Sequence, residues 1–467
     1  MIRTVFDNGT LVWSGDETAA LVAAAPELFK FDNRINAFRS RACDYAAVLQ
    51  KLRTLQLPFT DEACAFEPVK DLTLQETLIP RPHQQTAFDA WRKNGYRGVA
   101  ALPTGSGKTI LAVMAIARLK RPALVLVPTI DLLAQWANIL KRFFNVPIGM
   151  WGGGSNETHP ITVSTYNSAV LKMEFYGNCF AFLIADECHH LPGPANQLAA
   201  QWSIAPYRLG LSATPESDPA RDEIMKDLMG DVCCRIQIDE LSDGILSDYD
   251  VETVELELTP EEQQEYLLNR KIYTDFLHQH HLVMTSVRAW RDFIMEVARS
   301  GQAGRKAFEA YLKQKSIARG GEEKFNMVWK LLMRHAGERI IIFTADNAAA
   351  YELGRRYYLP VLTHHTKSAE RRCMLENFRT GACPVLVSSK VLNEGVDVPE
   401  ANIGIIVSGG SGVREHVQRL GRILRARPGK KAILYELVNS STSELNVLNR
   451  RREHRAYSTK VSGGNIC

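Results

Sequence analysis

The chain has 467 residues, 45% of them apolar, which is enough for about three cores of ordinary domain size at roughly 150 residues each. Its 56 Lys and Arg against 52 Asp and Glu leave a net charge of +4, too small to point to a partner, so the distribution of charge matters more than the sum. No apolar run approaches the ~20 residues of a membrane span, MIRTVFDNGT lacks the apolar centre of a secretion signal, and nine cysteines without a C-x-x-C pair fit a reducing compartment better than a disulfide framework, so a soluble cytoplasmic protein is expected.

In chain order, Asn8-Gly9 between the β-prone runs of IRTVFDNGTLVW predicts a hairpin. Ala46, Leu49 and Leu52 at helical spacing predict a helix within Ser40 to Leu55, and the acidic, Pro-bearing stretch Thr60 to Pro68 reads as an exit. A small α+β domain over residues 1–75 follows. Next come alternating apolar runs and helical segments: Gly98 to Leu102, Ile110 to Leu119, Ala123 to Val127, Leu132 to Phe143, Ile161 to Ser164 and Ala181 to Ala185. That alternation predicts an α/β lobe with a parallel sheet over residues 76–240. A second such series starts at Val251, within 241–258, and resumes at Ile340 to Phe343, Val385 to Ser388 and Ile403 to Val407, within 335–450. Between its parts, Thr259 to Arg334 is polar and helical, with a Gly break at Gly320, and predicts an inserted helical subdomain over 259–334. Residues 451–467 form a basic tail.

Basic residues are unevenly placed. Arg414 to Lys460 carries a local +8 and Glu262 to Arg334 a local +5, and both windows could face phosphates, although a solvated basic surface explains Arg450, Arg451 and Arg452 equally well. His278, His280 and His281 lack a partnering Cys or carboxylate spacing, so a metal site there is not expected.

Two motifs carry chemistry. In LPTGSGKT, Leu102 to Thr109, a glycine-rich turn between strand and helix would aim the backbone N–H groups of Thr104, Gly105, Ser106 and Gly107 at phosphate oxygens. Lys108 would neutralise the outer phosphates and the Thr109 hydroxyl would reach Mg²⁺. In IADECH, Ile184 to His189, Asp186 would hold the metal shell and Glu187 would orient and deprotonate the attacking water. Either string could arise by chance. Together, 78 positions apart from Lys108 to Asp186, they point to ATP hydrolysis. Only Cys179 precedes Cys188 between the motifs, which excludes a four-thiolate iron–sulfur cluster there.

Further motifs follow in an order that resembles the superfamily 2 helicases. RPHQQ places Arg81 and Gln84 where that resemblance implies adenine reading, although Pro82 also suits a plain helix start. VPTIDLLAQW with Thr129, the Gly152-Gly153 turn, VSTYNS with Thr165, and Ser389 in SSKVLNEGVDVP match segments that contact a nucleic-acid backbone, where hydroxyls and close approach suffice. His189 with Ser212, Ala213 and Thr214 matches the elements that couple hydrolysis to strand movement. The resemblance also implies that Gly395 and Asp397 help to bind nucleotide. It assigns catalysis jointly to Lys108, Asp186, Glu187, Gln418, Arg422 and Arg425, the last two from QRLGRILR as arginine fingers from the opposite lobe.

The likeness extends beyond the superfamily. LPTGSGKT, SIAPYRLGLSATP, THHTKSAERR and EGVDVPEANIGIIVSGGSGVREHVQRLGRILR resemble the XPB-type helicases, in particular their short archaeal and bacterial forms. The resemblance implies two RecA-like lobes, a damage-recognition-like domain at residues 1–75 and a thumb-like insertion. It further implies ATP and Mg²⁺ as cofactors, 3′ to 5′ movement on DNA in excision repair or transcription, and a possible partner nuclease. The chain departs from the family in three places. The Arg-Glu-Asp triplet expected just after Thr214 is replaced by Pro215-Glu216-Ser217-Asp218-Pro219-Ala220-Arg221, Leu102 stands where a small residue is common, and DECH replaces DEVH. A duplex translocase that does not separate strands, or an adaptor that positions a nuclease, are therefore the alternatives.

Overall fold

Asn8 and Gly9 both take left-handed backbone angles, φ 47° and 73°, and close the two-residue turn between β1 (Ile2–Asp7) and β2 (Thr10–Ser14), with Asp7 paired to Thr10. The computed structural model describes residues 1–103, 105–213, 218–236, 249–284, 287–389, 401–408, 432–442 and 444. After the hairpin come α1 (Thr18–Ala24), β3 (Lys30–Asp32), β4 (Ala37–Arg41), α2 (Tyr45–Thr54) and β5 (Phe59–Asp61). They build a five-stranded sheet in the order β3-β4-β2-β1-β5, antiparallel except for β1 with β5. Its core gathers Ile2, Leu11, Trp13, Leu21 and Val48. The helical spacing seen in Ser40 to Leu55 is offset from the real helix, because Ser40 belongs to β4 and α2 begins at Tyr45. Tyr45, Val48 and Leu52 are its buried face, whereas Ala46 and Leu49 are only half-buried.

The first lobe continues with α3 (Pro82–Lys93), β6 (Arg97–Ala101), α4 (Lys108–Leu119), β7 (Ala123–Val127), α5 (Ile130–Phe143), β8 (Ile148–Gly152), β9 (Ser155–Glu157) and β10 (Ile161–Thr165). Then follow α6 (Tyr166–Val170), α7 (Met173–Tyr176), β11 (Phe182–Asp186), α8 (Gln197–Gln201), β12 (Tyr207–Ser212), α9 (Pro219–Met229) and β13 (Val232–Arg235). Their eight strands run β13-β6-β12-β11-β7-β10-β8-β9, parallel except for the short β9. β7 and β11 are buried along their whole length, as expected of strands covered on both faces. Leu111, Val125, Trp136 and Ile184 fill one face of the sheet; Leu124, Leu183, Cys188 and Leu228 fill the other. Strands β8, β9, β12 and β13 escape the sequence reading. Gly149, Gly152 and Gly210 interrupt β8 and β12, and β9 and β13 are short and mostly polar or Cys-rich.

The N-terminal domain and this lobe form one compact unit, Met1–Leu241. Ile204 of the lobe sits in the core of the N-terminal domain, Cys43 of that domain sits in the lobe's core, and the hairpin tip closes on Trp202, where a Cβ at Gly9 would meet the ring at 2.5 Å. Arg41 adds a two-pronged bond to Asp227 on α9, at 2.7 and 3.1 Å.

The second unit, Ser242–Cys467, contains β14 (Tyr249–Leu256), α10 (Pro260–Gln279), α11 (Val287–Arg299), α12 (Gly301–Arg319), α13 (Glu322–Arg334), β15 (Ile340–Phe343), α14 (Asn347–Tyr357) and β16 (Val361–Leu362). It ends with α15 (Ser368–Thr380), β17 (Val385–Ser388), β18 (Ile403–Ile406) and β19 (Ala432–Asn439). The sheet order is β14-β19-β18-β15-β17-β16, all parallel. The stretch read as one insertion, 259–334, divides at Gly320-Gly321. Helices α10, α11 and α12 supply the separate core around Phe276, Phe293 and Ala307. In α13, by contrast, Phe325, Val328, Leu331 and Leu332 pack with Ile340, Ile342 and Ile405 of the sheet. That last helix therefore belongs to the lobe, because its apolar face covers the sheet. The basic tail 451–467 lies outside the described residues.

Candidate active site

The phosphate loop follows β6. Gly105 and Gly107 take φ 81° and 84°, angles that glycine reaches without strain, and Lys108 opens α4. A Cβ at Gly107 would lie 2.2 Å from Gln84 Nε2, so besides the strained backbone angle any other residue here would have to push that amide aside. Gln84 and its neighbour His83 hold the loop from behind: Gln84 Nε2 donates to Ser106 O at 2.9 Å, and His83 Nε2 meets the same carbonyl at 2.7 Å. Gln84 Oε1 accepts from the Arg81 backbone N–H at 2.9 Å, closing the N-terminus of α3. The amide expected to read adenine is thus buried and bonded to the loop, and only opening those bonds would free it for a base. His83 was missed, since a histidine beside a helix-start proline carries no signal of its own.

Lys108 Nζ lies 3.4 Å from Glu187 Oε1, which brings together the two motifs 78 residues apart in sequence. Asp186 closes β11. Its Oδ1 accepts from the Glu187 N–H at 3.0 Å, and its Oδ2 accepts from the indole N–H of Trp136 at 2.8 Å. Tyr166 Oη donates to the Asp186 carbonyl at 3.0 Å. Burial and then the nearby charge of Glu187 push the Asp186 carboxyl up to about 6, opposed by Lys108 and the indole N–H. Glu187 stands at φ 45°, a left-handed angle that a non-glycine residue holds only when its surroundings impose it, and that turn aims its carboxylate back at Lys108. His189 Nδ1 lies 3.3 Å from Ser212 Oγ and 3.6 Å from Glu187 Oε2, so two of the expected coupling residues meet beside the expected base. Ala213 follows Ser212 directly, and Arg221 of α9 donates to the His189 carbonyl at 3.4 Å.

The residues fit a nucleotide with its metal. A left-handed glycine loop at a helix start suits phosphate, and the Asp186 carboxylate with the Thr109 hydroxyl on the first turn of α4 supplies the oxygen donors that Mg²⁺ prefers.

The expected nucleic-acid contacts of the first lobe also converge. The turn Gly152, Gly153, Gly154 runs at φ 127°, 61° and 90°, with the last two exposed. A Cβ on Gly152 would lie 3.3 Å from Thr165 Oγ1 and 3.2 Å from Ser168 Oγ, and one on Gly153 would lie 3.1 Å from the side chain of Ile130, next to Thr129. Thr129 and Thr165 cap α5 and α6, accepting from the Leu132 and Ser168 N–H groups at 3.3 and 3.2 Å. All lie at the carboxyl ends of β7, β8 and β10, the sheet edge that also carries Asp186 and the phosphate loop. Ser389 sits at the equivalent end of β17 but is buried, with its N–H on Leu362 O at 3.2 Å. Thr104, Thr214, Gly395, Asp397, Gln418, Arg422 and Arg425 lie outside the described residues.

Three family profiles match: type III restriction enzyme, res subunit, over residues 77–217; helicase conserved C-terminal domain over 323–427; and Xeroderma pigmentosum group B helicase damage recognition domain over 5–63. The helicase domain of Hef from Pyrococcus furiosus superposes with a TM-score of 0.53 at 19% identity over 81% of this chain and 100% of that one. S. cerevisiae Dbp5 superposes with 0.57 at 15% identity over 83% and 90%. At that identity the two structures speak for the fold alone, two RecA-like lobes. DNA 3′-5′ helicase XPB of Mycobacterium tuberculosis is 28% identical over 78% of this chain and 61% of its own length. DNA 3′-5′ translocase XPB2 of Sulfurisphaera tokodaii is 35% identical over 92% of this chain and 97% of its own length, and with the N-terminal profile this likeness shows that the chain belongs to the XPB-type superfamily 2 DNA helicases.

Proposed function

We propose that the chain hydrolyses Mg²⁺-ATP to move 3′ to 5′ on DNA, opening or displacing strands in excision repair or transcription-linked processing. The observation that carries this reading is the 3.4 Å approach of Lys108 to Glu187 on the sheet edge that also holds the Gly152 turn. Lys108 binds the outer phosphates, Thr109 and Asp186 hold the metal, and Glu187 takes the proton of the attacking water as its carboxylate turns from Lys108 towards that water. When bound, Mg²⁺ offsets phosphate charge in the transition state. Gln418, Arg422 and Arg425 complete the catalytic set, the two arginines acting on the γ-phosphate as arginine fingers, and Gly395 and Asp397 support the nucleotide. Thr129, Gly152, Thr165 and Ser389 contact the DNA backbone with little sequence preference. Such contacts weaken as salt rises.

The test is DNA-stimulated ATP turnover of Glu187→Gln together with strand displacement on a fork bearing a 3′ tail. Loss of turnover by about 100-fold or more with nucleotide binding retained is expected, in line with the contribution of a general base. Turnover that survives the substitution would remove Glu187 from this role.

A second reading, translocation along duplex DNA without unwinding, is favoured by one observation. After Ser212 the Arg-Glu-Asp triplet is absent; Asp218 instead caps α9 and Arg221 binds the His189 carbonyl. Turnover without displacement would support it. Adding a structure-specific nuclease would then show whether the chain acts with such a partner. No described helix is long and apolar enough to cross a membrane, in keeping with the cytoplasmic location we propose.

A further inference from the structure

Both helices that start at the Gly152 turn reach back to the same carboxylate residue. Helix α5, capped by Thr129, carries Trp136 roughly two turns further on, and its indole N–H donates to Asp186 Oδ2 at 2.8 Å. Helix α6, capped by Thr165, begins with Tyr166, whose hydroxyl donates to the Asp186 carbonyl at 3.0 Å. Trp136 and Tyr166 are both buried. A buried indole N–H or phenol costs free energy unless it finds an acceptor, and each of these gives its donor to Asp186, the carboxylate residue expected to hold the metal with Thr109. Because the surrounding core is close-packed, a shift at the exposed start of α5 carries Trp136 with it, and a shift at the start of α6 moves Tyr166, which is that helix's first residue.

We infer that Trp136 and Tyr166 are positioning residues that couple occupancy of the Gly152 turn by DNA backbone to the placement of the Asp186 carboxylate. The inference rests on the reading that the turn holds DNA. Neither residue touches nucleotide; each acts through Asp186. Linkage makes the coupling reciprocal: if DNA improves the metal site, the bound metal must tighten DNA by the same factor.

The test uses the full chain, Mn²⁺ as the probe ion followed by electron paramagnetic resonance, and a non-hydrolysable ATP analogue, with and without single-stranded DNA. In the wild type DNA is expected to tighten Mn²⁺ by about fivefold or more, the lower end of ordinary coupling between sites. Tyr166→Phe removes only the hydroxyl donor, Trp136→Phe keeps an aromatic ring while removing the indole N–H and part of the ring system, and each is expected to reduce that factor to below about twofold, with a matching loss of DNA stimulation of turnover. A wild type whose Mn²⁺ affinity ignores DNA, or two folded variants that keep the full factor, would overturn the inference. If Trp136→Phe melts early, Tyr166→Phe, which removes a single oxygen atom, carries the decision. Gly154→Asp separates this failure from failure of the underlying reading: the position is exposed with nothing within 4 Å of an added Cβ, its φ of 90° strains any L side chain, and both the new negative charge and that strain would weaken DNA held on the turn. Unchanged DNA affinity in Gly154→Asp would show that DNA does not lie there.

Discussion

The phosphate loop is sensitive to single atoms. Gly107 combines φ 84° with a neighbour 2.2 Å from where a Cβ would sit, so Gly107→Ala must displace Gln84 and break its bond to the Ser106 carbonyl. We expect a loss of nucleotide affinity of at least tenfold, measured with a fluorescent ATP analogue, and a cost to folding of about 1–3 kcal/mol, the range for an unfavourable backbone conformation. Gln84→Ala leaves the glycine angles alone and removes the support from behind together with the cap at the start of α3, and a smaller loss in the same assay is expected. Equal losses would mean that the backbone angle contributes little. The residue types of this loop are legible because its motif is local, whereas the bonds that Gln84 makes to the loop are not, since nothing in RPHQQ indicates that the loop's own carbonyl would be a partner.

The N-terminal domain is joined to the first lobe by an ion pair and by shared apolar packing, and magnitudes decide between them. Arg41 and Asp227 are nearly half exposed, so their pairing contributes roughly 0.2–1 kcal/mol. Ile204 is 1% exposed inside the other domain's core, and Ile204→Ala should cost about 2–5 kcal/mol, read as a fall in the melting temperature of the full chain. Bonding to Arg41 holds the Asp227 carboxyl below its usual range. Its stabilisation is therefore complete above about pH 4 and is lost as pH falls through the lower, folded-state value. The melting-temperature gap between wild type and Asp227→Asn should close only below pH 4; a gap that closes near neutrality would place the effect elsewhere. Helix α13 makes a related point in the second lobe, where the fully buried Lys324 donates to Glu444 at 2.6 Å and to the Val407 carbonyl at 2.8 Å. Lys324→Ala leaves that carboxylate without its charge partner, with an expected loss of about 3–5 kcal/mol in chemical denaturation.

Over the whole molecule, the contact pattern divides the chain into Met1–Leu241 and Ser242–Cys467, and the proposed chemistry needs both. A fragment of residues 1–241 has a complete core and all of Lys108, Asp186 and Glu187, so it should fold and bind nucleotide. Without Arg422 and Arg425 it should hydrolyse ATP at least about a thousandfold more slowly than the full chain, the scale attributed to arginine fingers. The double substitution Arg422→Ala, Arg425→Ala in the full chain should reproduce that loss; if only the fragment loses activity, the second unit contributes something other than these side chains.

Some of this was decided by local sequence. The hairpin at Asn8-Gly9, the alternation of strands and helices from β6 to β11, and the residues of the phosphate loop and of β11 each depend on chain neighbours, so periodicity and motif suffice to read them. Tertiary structure alone decided the rest. Strands β12 and β13 exist because parallel neighbours pair with them, α13 joins the lobe because its apolar face meets the sheet, and the N-terminal domain shares a core with the lobe beside it. Asp186 draws Trp136 and Tyr166 from distant turns of chain because a buried donor must find an acceptor, and a linear sequence does not say which acceptor folding will place there.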